Sequence, residues 1–220
     1  MIKRDYRIVR GKLVAIEGID GSGKTALVEY LWATLAGGEG EHKWTAVKEP
    51  TDGPGSFGKL LRSHFADHSK LDSSEWLRLY VLDRLTQVQT HTEHRLRNVV
   101  NVLSDRCYIS TAVYQQIFHG FDPEMILQFH RATCPVPDLV LLLDLPAEEA
   151  LVRVARRWKP TSTDDQFERL DRLQAARSLY LKTPRDLLVG DGVERIKVID
   201  ASLPSGEVYL ACLREILALF

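Results

Sequence analysis

A glycine-rich segment near the N-terminus constrains this chain more than any other feature of its sequence. Residues 18–25 read G-I-D-G-S-G-K-T, which fills every fixed position of the phosphate-binding pattern G-x-x-x-x-G-K-[ST]. An apolar stretch at residues 13–16 comes before it and predicts a buried strand, and residues 26–35 after it have a helical pattern. A strand, this loop and a helix in that order predict a bound nucleoside triphosphate at the start of the helix.

The residue types of the loop fit the chemistry of phosphate binding. Glycines let the backbone turn tightly, so that consecutive N–H groups point at phosphate oxygens. Lys24 is placed to reach the β and γ phosphates, and the Thr25 hydroxyl to reach Mg²⁺. The pattern does not distinguish a kinase from a GTPase, an ATPase motor or a transporter subunit. The predicted ATP-binding residues here are Gly18, Ile19, Asp20, Gly21, Ser22, Gly23, Lys24 and Thr25.

Short apolar strands alternate with helical patterns along the rest of the 220 residues. Strands are predicted at residues 13–16, 44–48, 99–103, 139–143 and 195–199. Helices are predicted at 26–35, 73–97, 147–157, 166–189 around Pro184, and 207–220. This alternation predicts an α/β three-layer sandwich of the P-loop NTPase type, with a five-stranded parallel sheet flanked by helices. No repeat or linker divides the chain, so a single domain over residues 1–220 is expected, with ligands beyond the carboxyl ends of the strands.

Composition excludes several other classes of protein. Twenty-nine basic and thirty acidic side chains give a net charge of −1, so no basic excess favours nucleic-acid binding. Three cysteines without C-x-x-C spacing argue against a zinc site or a disulfide framework. The first twelve residues lack the apolar core of a signal peptide, and no apolar run approaches a membrane span of about 20 residues. A cytoplasmic enzyme is expected.

Further segments, in order along nearly the whole chain, resemble those of the thymidylate kinase family. Each is short, but their joint order is specific. They are E-G-I-D at 17–20, K-E-P-T-D-G-P at 48–54, D-R at 83–84, D-R-C-Y-I-S-T-A-V-Y-Q at 105–115, P-D-L at 137–139, L-D at 143–144, F-E at 167–168 and R-S-L-Y-L at 177–181. The resemblance implies transfer of the ATP γ-phosphate to dTMP, giving dTDP, with Mg²⁺ as cofactor and a homodimer as the assembly.

The resemblance also implies residues that handle the acceptor phosphate. Asp105 would position the acceptor or Mg²⁺ together with Thr25, and Arg106 would offer a bidentate fork to phosphate. A structural ion pair at a strand end is the alternative for Asp105 and Arg106. Lys48 stands where the family usually carries arginine. It keeps the positive charge but loses the bidentate hydrogen bonding of a guanidinium, so Arg62 or Arg84 would help to bind the acceptor phosphate.

Residues that recognise the nucleoside are implied in the same way. Tyr80 would stack on the thymine, Arg84 would hydrogen-bond the base edge, and Ser110 and Thr111 would read the pyrimidine. The alternative for Tyr80 is a core aromatic residue, and for Arg84 a surface charge.

The sugar contacts come from two places in the sequence. Tyr114 would pack under the sugar and exclude a ribose 2′-hydroxyl, with Gln115 as a polar neighbour. Asp20 would hydrogen-bond the 3′-hydroxyl or help to bind Mg²⁺. A core position for Tyr114 and a solvated loop position for Asp20 are the alternatives.

A basic cluster followed by a polar stretch predicts a lid over the phosphates at about residues 153–166. In the family, enzymes with glycine after the loop carboxylate, as Gly21 is here, bring a catalytic arginine from the lid. Arg156 or Arg157 would have that role, and Arg153 would contact the adenine. Alternatively, these basic residues only complement the dipole at a helix C-terminus.

Two other functions stay open at this point. A deoxynucleoside kinase shares the fold and an Asp-Arg motif, but it does not need cations such as Lys48 and Arg106 for an acceptor phosphate. A non-catalytic P-loop regulator would keep the donor loop, but its acceptor-binding residues would depart from the family pattern. Lys48, and Cys107 where the family favours a large or aromatic residue, are departures of that kind.

Overall fold

The computed structural model describes residues 10–37, 42–65, 71–157, 169–188 and 196–220. Five parallel strands form one sheet in the order β2-β3-β1-β4-β5, which confirms the predicted fold class. The strands are β1 (Leu13–Gly18), β2 (Lys43–Lys48), β3 (Val100–Asp105), β4 (Leu139–Asp144) and β5 (Ile196–Asp200).

The three central strands are buried almost throughout, whereas the edge strands β2 and β5 are partly exposed. Helices that cover both faces of a parallel sheet explain why β1 and β4 read as continuous apolar runs. Strand β3 ends at Asp105, two residues later than predicted, because Ser104 and Asp105 are polar but still pair with β1.

Helices in the described ranges are α1 (Lys24–Gly37), α2 (Phe57–His64), α3 (Ser73–Gln87), α4 (Glu93–Arg97), α5 (Tyr108–His119), α6 (Pro123–Thr133), α7 (Ala147–Arg157), α8 (Leu170–Leu188) and α9 (Ser205–Leu217). Helix α8 runs through Pro184 without interruption. None of these described helices is both long and apolar enough to span a bilayer.

The single helix predicted over residues 73–97 is divided. A π-helical turn, Val88–Thr92, separates α3 from α4. The predicted start at residue 73 is correct. The helix begins there because Asp72 and Glu75 form a reciprocal capping box. Apolar spacing alone does not reveal one extra residue in a turn, so the interruption was not visible in the sequence.

Three helices were not predicted. Helix α5 is buried over all of Tyr108–Gln115, and its polar residues Ser110, Thr111 and Gln115 are buried with the apolar ones, so this stretch lacks the solvent-facing polar side of a surface helix. Helix α6 has a recognisable start, with Asp122 as N-cap and Pro123 in the first turn. Helix α2 has only eight residues and is capped by Ser56.

The parallel register brings the polar ends of the strands together. Lys48 lies opposite Asp105, Gly18 opposite Leu143, and Asp144 opposite Asp200. The phosphate-binding loop and the 105–115 segment therefore leave the sheet at the same edge. This is the edge at which ligands bind in open parallel sheets.

Candidate active site

Lys24 is held inside the phosphate-binding loop by the loop's own backbone. Its Nζ donates to the carbonyl oxygens of Gly18 at 2.9 Å and Ile19 at 2.8 Å. The side chain is buried, and burial, reinforced by the nearby Arg106 charge, lowers the pKa of Lys24 to about 8. These two acceptors are neutral, so an anionic phosphate group would give the ammonium group a charged partner in direct contact.

Gly21 fits a position that has no room for a side chain. Its φ of +84° lies in the left-handed region, and a Cβ atom there would come within 2.5 Å of the Ala150 carbonyl oxygen on α7. An arginine after Asp20 is therefore excluded by both the backbone and the packing. The expectation that the lid brings a catalytic arginine stays a prediction.

The Asp105–Arg106 pair lies against the phosphate-binding loop. Thr25 Oγ1 donates a 2.6 Å hydrogen bond to Asp105 Oδ2. Arg106 forms an ion pair with Asp20 and donates to the carbonyl oxygen of Gly18 at 3.4 Å. Asp105 and Arg106 are thus not simply paired with each other, since each of them contacts the donor loop.

Arg106 is kept in an unusual backbone conformation, with φ of +76°. Burial alone would lower its pKa, but the Asp20 carboxylate holds the pKa well above its usual value. Arg106 therefore stays a cation at every physiological pH. The Tyr114 ring lies 5.5 Å from the guanidinium carbon, and the Tyr114 hydroxyl donates to Asp20 Oδ2 at 3.2 Å.

A fully buried carboxylate, Glu17, connects these elements, and sequence reasoning assigned it no role. It accepts from the backbone N–H of Cys107 at 2.8 Å and of Ser110 at 3.2 Å. The Ser110 hydroxyl donates to it at 2.6 Å, and the Tyr180 hydroxyl on α8 at 3.1 Å. A charged residue in an otherwise apolar strand was the available signal, because buried charges need several partners.

Ser110 also accepts a 3.0 Å hydrogen bond from Arg106 Nη1. Its hydroxyl hydrogen and an oxygen lone pair are therefore both used within the protein. A pyrimidine contact at Ser110 stays a prediction, and the structure adds a second role, which is to connect Arg106 to Glu17.

Arg84 is buried, which excludes the alternative of a surface charge. Its Nε and Nη2 donate to Glu49 Oε2, and its Nη1 donates to the Thr111 hydroxyl at 2.7 Å. His130 Nε2 lies 3.2 Å from the same Nη1. Burial opposes the charge on Arg84, but the Glu49 carboxylate raises the arginine's pKa above its usual value.

Tyr80 lies on α3, one turn before Arg84, and is half-buried. Burial raises the pKa of its hydroxyl. The Arg106 charge opposes this rise, and the Asp20 carboxylate adds to it. Stacking on a base stays a prediction.

Asp83 shapes the loop between β2 and α2. Its carboxylate accepts from the Thr51 backbone N–H at 2.8 Å, the Thr51 hydroxyl at 2.5 Å and the Gly58 N–H at 2.7 Å. A Cβ atom on Gly58 would lie 2.2 Å from the Thr51 carbonyl oxygen. The Asp-Arg motif at 83–84 thus combines two tasks: Asp83 fixes the loop, and Arg84 extends toward α5 and α6.

Gly58→Ala is expected to lower the free energy of unfolding by about 1–3 kcal/mol, because the new methyl group overlaps backbone and breaks the Asp83 contacts. Gly53→Ala in the same loop is the matched control, since a Cβ there has nothing within 4 Å. Urea denaturation of both variants measures the difference. Equal stability of the two would show that the close approach at Gly58 does not constrain the loop.

The remaining predicted residues occupy varied positions. Lys48 is exposed at the end of β2, and Gln115 is buried with an Oε1 atom that has no hydrogen-bond partner in the described part of the chain. Arg153 donates to Glu149 at 2.6 Å and to the Ala201 carbonyl oxygen at 3.0 Å, which connects α7 to the loop after β5. Arg156 is exposed.

The predicted lid, residues 153–166, is only partly described. The Arg157 side chain and residues 158–166, like the F-E pair at 167–168, lie outside the described residues. The catalytic role predicted for Arg156 or Arg157 stays a prediction.

Thr25 and Asp105 have the oxygen ligands that Mg²⁺ prefers. Within the ranges that the structure covers, no group of three or more His, Cys, Asp or Glu side chains is arranged to hold a metal. Binding of Mg²⁺ by Thr25 and Asp105 stays a prediction.

Comparison with known proteins agrees with this geometry. The sequence model of the Thymidylate kinase family matches residues 16–209. A protein of Archaeoglobus fulgidus named "Probable thymidylate kinase" is 35% identical over 196 residues, covering 89% of this chain and 90% of its own. "Thymidylate kinase" of Carboxydothermus hydrogenoformans is 33% identical over 91% of this chain and 94% of its own, and that of Xylella fastidiosa 34% over 95% and 88%. The chain belongs to the thymidylate kinase family.

Proposed function

We propose that this protein transfers the γ-phosphate of ATP to dTMP and releases ADP and dTDP. The observation that carries this proposal is the junction of two motifs: Thr25 of the donor loop bonds Asp105, and Asp20 of the same loop pairs with Arg106. A donor site and a cationic acceptor site then share one edge of the sheet. Membership in the family, and the names of relatives that align along most of the chain, support the same reaction.

The donor side follows from the loop. Backbone N–H groups of residues 18–25 and the N-terminus of α1 would hold the phosphates, and Lys24 would neutralise charge on the β and γ groups. The Lys24 ammonium group exchanges its bonds to Gly18 and Ile19 for bonds to phosphate oxygens. Phosphoryl transfer requires this kind of positioning and neutralisation more than it requires covalent catalysis.

The acceptor side follows from Arg106 and the residues around it. An oxygen of the dTMP phosphate attacks the γ-phosphorus, and the bond to the β–γ bridging oxygen breaks as ADP leaves. Arg106 would hold the acceptor phosphate in line with this bond, at a position fixed by Asp20 and Ser110. The Tyr114 hydroxyl bonds Asp20 and would thereby orient its carboxylate for the sugar of the acceptor.

We further propose that Mg²⁺ is the cofactor, bound by Thr25 and Asp105 together with ATP phosphates. A bound ion would spread the developing negative charge of the transferred group. Homodimerisation and a cytoplasmic location are also proposed, on the family resemblance.

The pKa of Lys24 gives a pH dependence. Because the charged ammonium binds phosphate and its pKa in the free protein is about 8, kcat/KM for ATP is expected to fall above pH 8, toward tenfold per pH unit. The value of kcat should change less, since bound phosphates raise the same pKa. Initial rates between pH 6 and 10 measure both. A kcat/KM that stays constant up to pH 10 would contradict this assignment.

A coupled assay of ADP release tests the proposed substrate. The panel is dTMP, dUMP, dCMP, dGMP and thymidine, each with ATP and Mg²⁺. We expect the highest kcat/KM with dTMP and no turnover of thymidine, because thymidine has no phosphate to occupy the Arg106 site. Turnover of thymidine but not of dTMP would favour a deoxynucleoside kinase, and no turnover with any acceptor would favour a non-catalytic regulator.

A further inference from the structure

His130, on α6, is the only histidine among the described residues that is completely buried. Its ring stacks on Tyr108, with centroids 5.8 Å apart and planes 12° from parallel. Its Nδ1 lies 2.8 Å from the carbonyl oxygen of Ile126. A carbonyl oxygen only accepts, so Nδ1 must carry a hydrogen and donate it.

The opposite nitrogen of the ring lies 3.2 Å from Arg84 Nη1. A guanidinium group has donors only, so His130 Nε2 must present its lone pair to Arg84. The two contacts therefore specify one form of the ring, which is neutral, with the proton on Nδ1. The chemistry of the surroundings agrees, because burial and the Arg84 charge lower the pKa of His130 to about 4.

The contacts of Arg84 account for most of its hydrogens. Glu49 takes the Nε hydrogen and one on Nη2, and Thr111 and His130 take the two on Nη1. Of the five N–H groups of an arginine, the second one on Nη2 is then the one without a partner in the described part of the chain. Without His130, an Nη1 hydrogen would also be unpaired, and the guanidinium would be held by Glu49 and Thr111 alone.

We propose that His130 is a positioning residue that fixes Arg84 so that one Nη2 hydrogen faces the base of the acceptor. This inference rests on the proposed function. A single fixed N–H donates to a carbonyl oxygen on the pyrimidine ring and finds no acceptor when an amino group stands at the same place. His130 thereby contributes to the choice of thymine and uracil over cytosine, although it does not touch the base.

Two variants of similar size separate the hydrogen bond from the packing. His130→Gln keeps an acceptor near the Nε2 position, and His130→Met removes it. Because a thioether sulfur accepts hydrogen bonds only weakly, we expect His130→Met to raise KM for dTMP by about tenfold and to reduce the preference for dUMP over dCMP, while KM for ATP stays unchanged. The KM of His130→Gln for dTMP should stay close to the wild-type value. If both variants keep the wild-type KM, or if KM for ATP rises equally with KM for dTMP, the positioning role is wrong.

A spectroscopic measurement is independent of turnover. Nitrogen-15 NMR of the histidine side chains should show, for the signal that disappears in His130→Gln, a neutral ring protonated on Nδ1 at pH 6 to 7. A ring protonated on Nε2, or on both nitrogens, would overturn the inference even if dTMP is the substrate. If the ring has the expected form but the wild-type protein does not turn over dTMP, the proposed function fails and the contact between His130 and Arg84 remains.

Discussion

Asp105→Asn is expected to reduce kcat for dTMP phosphorylation by about 10²- to 10³-fold while ATP still binds. The asparagine oxygen can still accept the hydrogen bond from Thr25, so the shape of the loop is kept. What disappears is the negative charge that would help to hold Mg²⁺ between the two substrates. The dependence of the rate on Mg²⁺ concentration should shift to higher values for the same reason.

Asp138→Asn is the control for this variant. Asp138 lies just before β4, at the opposite edge of the sheet, where it accepts from the Leu13 backbone N–H at 2.8 Å and pairs with Arg10. Its loss should affect stability and leave kcat within about twofold of wild type. Steady-state kinetics and ATP titration of both proteins give the comparison. Near-normal activity of Asp105→Asn would mean that Asp105 has only a structural role.

Arg106→Lys is expected to lower kcat/KM for dTMP by about 10²-fold even though the charge is kept. The guanidinium of Arg106 bonds Asp20 through Nη2 and the Gly18 carbonyl and Ser110 through Nη1, whereas lysine has its donors on a single nitrogen and does not reproduce this fork. The acceptor phosphate would then bind a mobile point charge and lose its alignment with the γ-phosphorus. The value of KM for ATP should change much less.

Arg97→Lys provides the matched control, because Arg97 makes an exposed pair with Glu93 within α4. That variant should be within about twofold of wild type in every kinetic constant. Activity of Arg106→Lys equal to that of Arg97→Lys would show that the fork geometry of Arg106 does not matter. The same data would then favour Lys48 or Arg62 as the acceptor cation.

The sequence predicted the sheet, its central strands and the donor loop, because each has a strong local signal. The glycines and Lys24 occupy fixed positions in a motif, and β1 and β4 are uninterrupted apolar runs. Helix α5 was not predicted because burial on every side removes the periodicity on which such predictions depend. The π turn after α3 has no sequence signal of that kind.

The site was predictable only where a residue's role depends on its own type. Arg106, Asp20 and Arg84 were identified as polar residues in motifs, and the structure brings them to one edge of the sheet. Glu17, Glu49 and His130 were missed because their roles come from contacts with residues 30 or more positions away. Contacts between distant segments exist only once the fold has formed, so no local pattern in the sequence reports them.

In the proposed reaction, ATP donates its γ-phosphate to the phosphate of dTMP. Incubation with γ-labelled ATP, Mg²⁺ and dTMP, followed by chromatographic separation of the nucleotides, tests it most directly. The label is expected in dTDP, with one ADP formed for each dTDP. Label in dTMP when thymidine is supplied, with none in dTDP when dTMP is supplied, would contradict it.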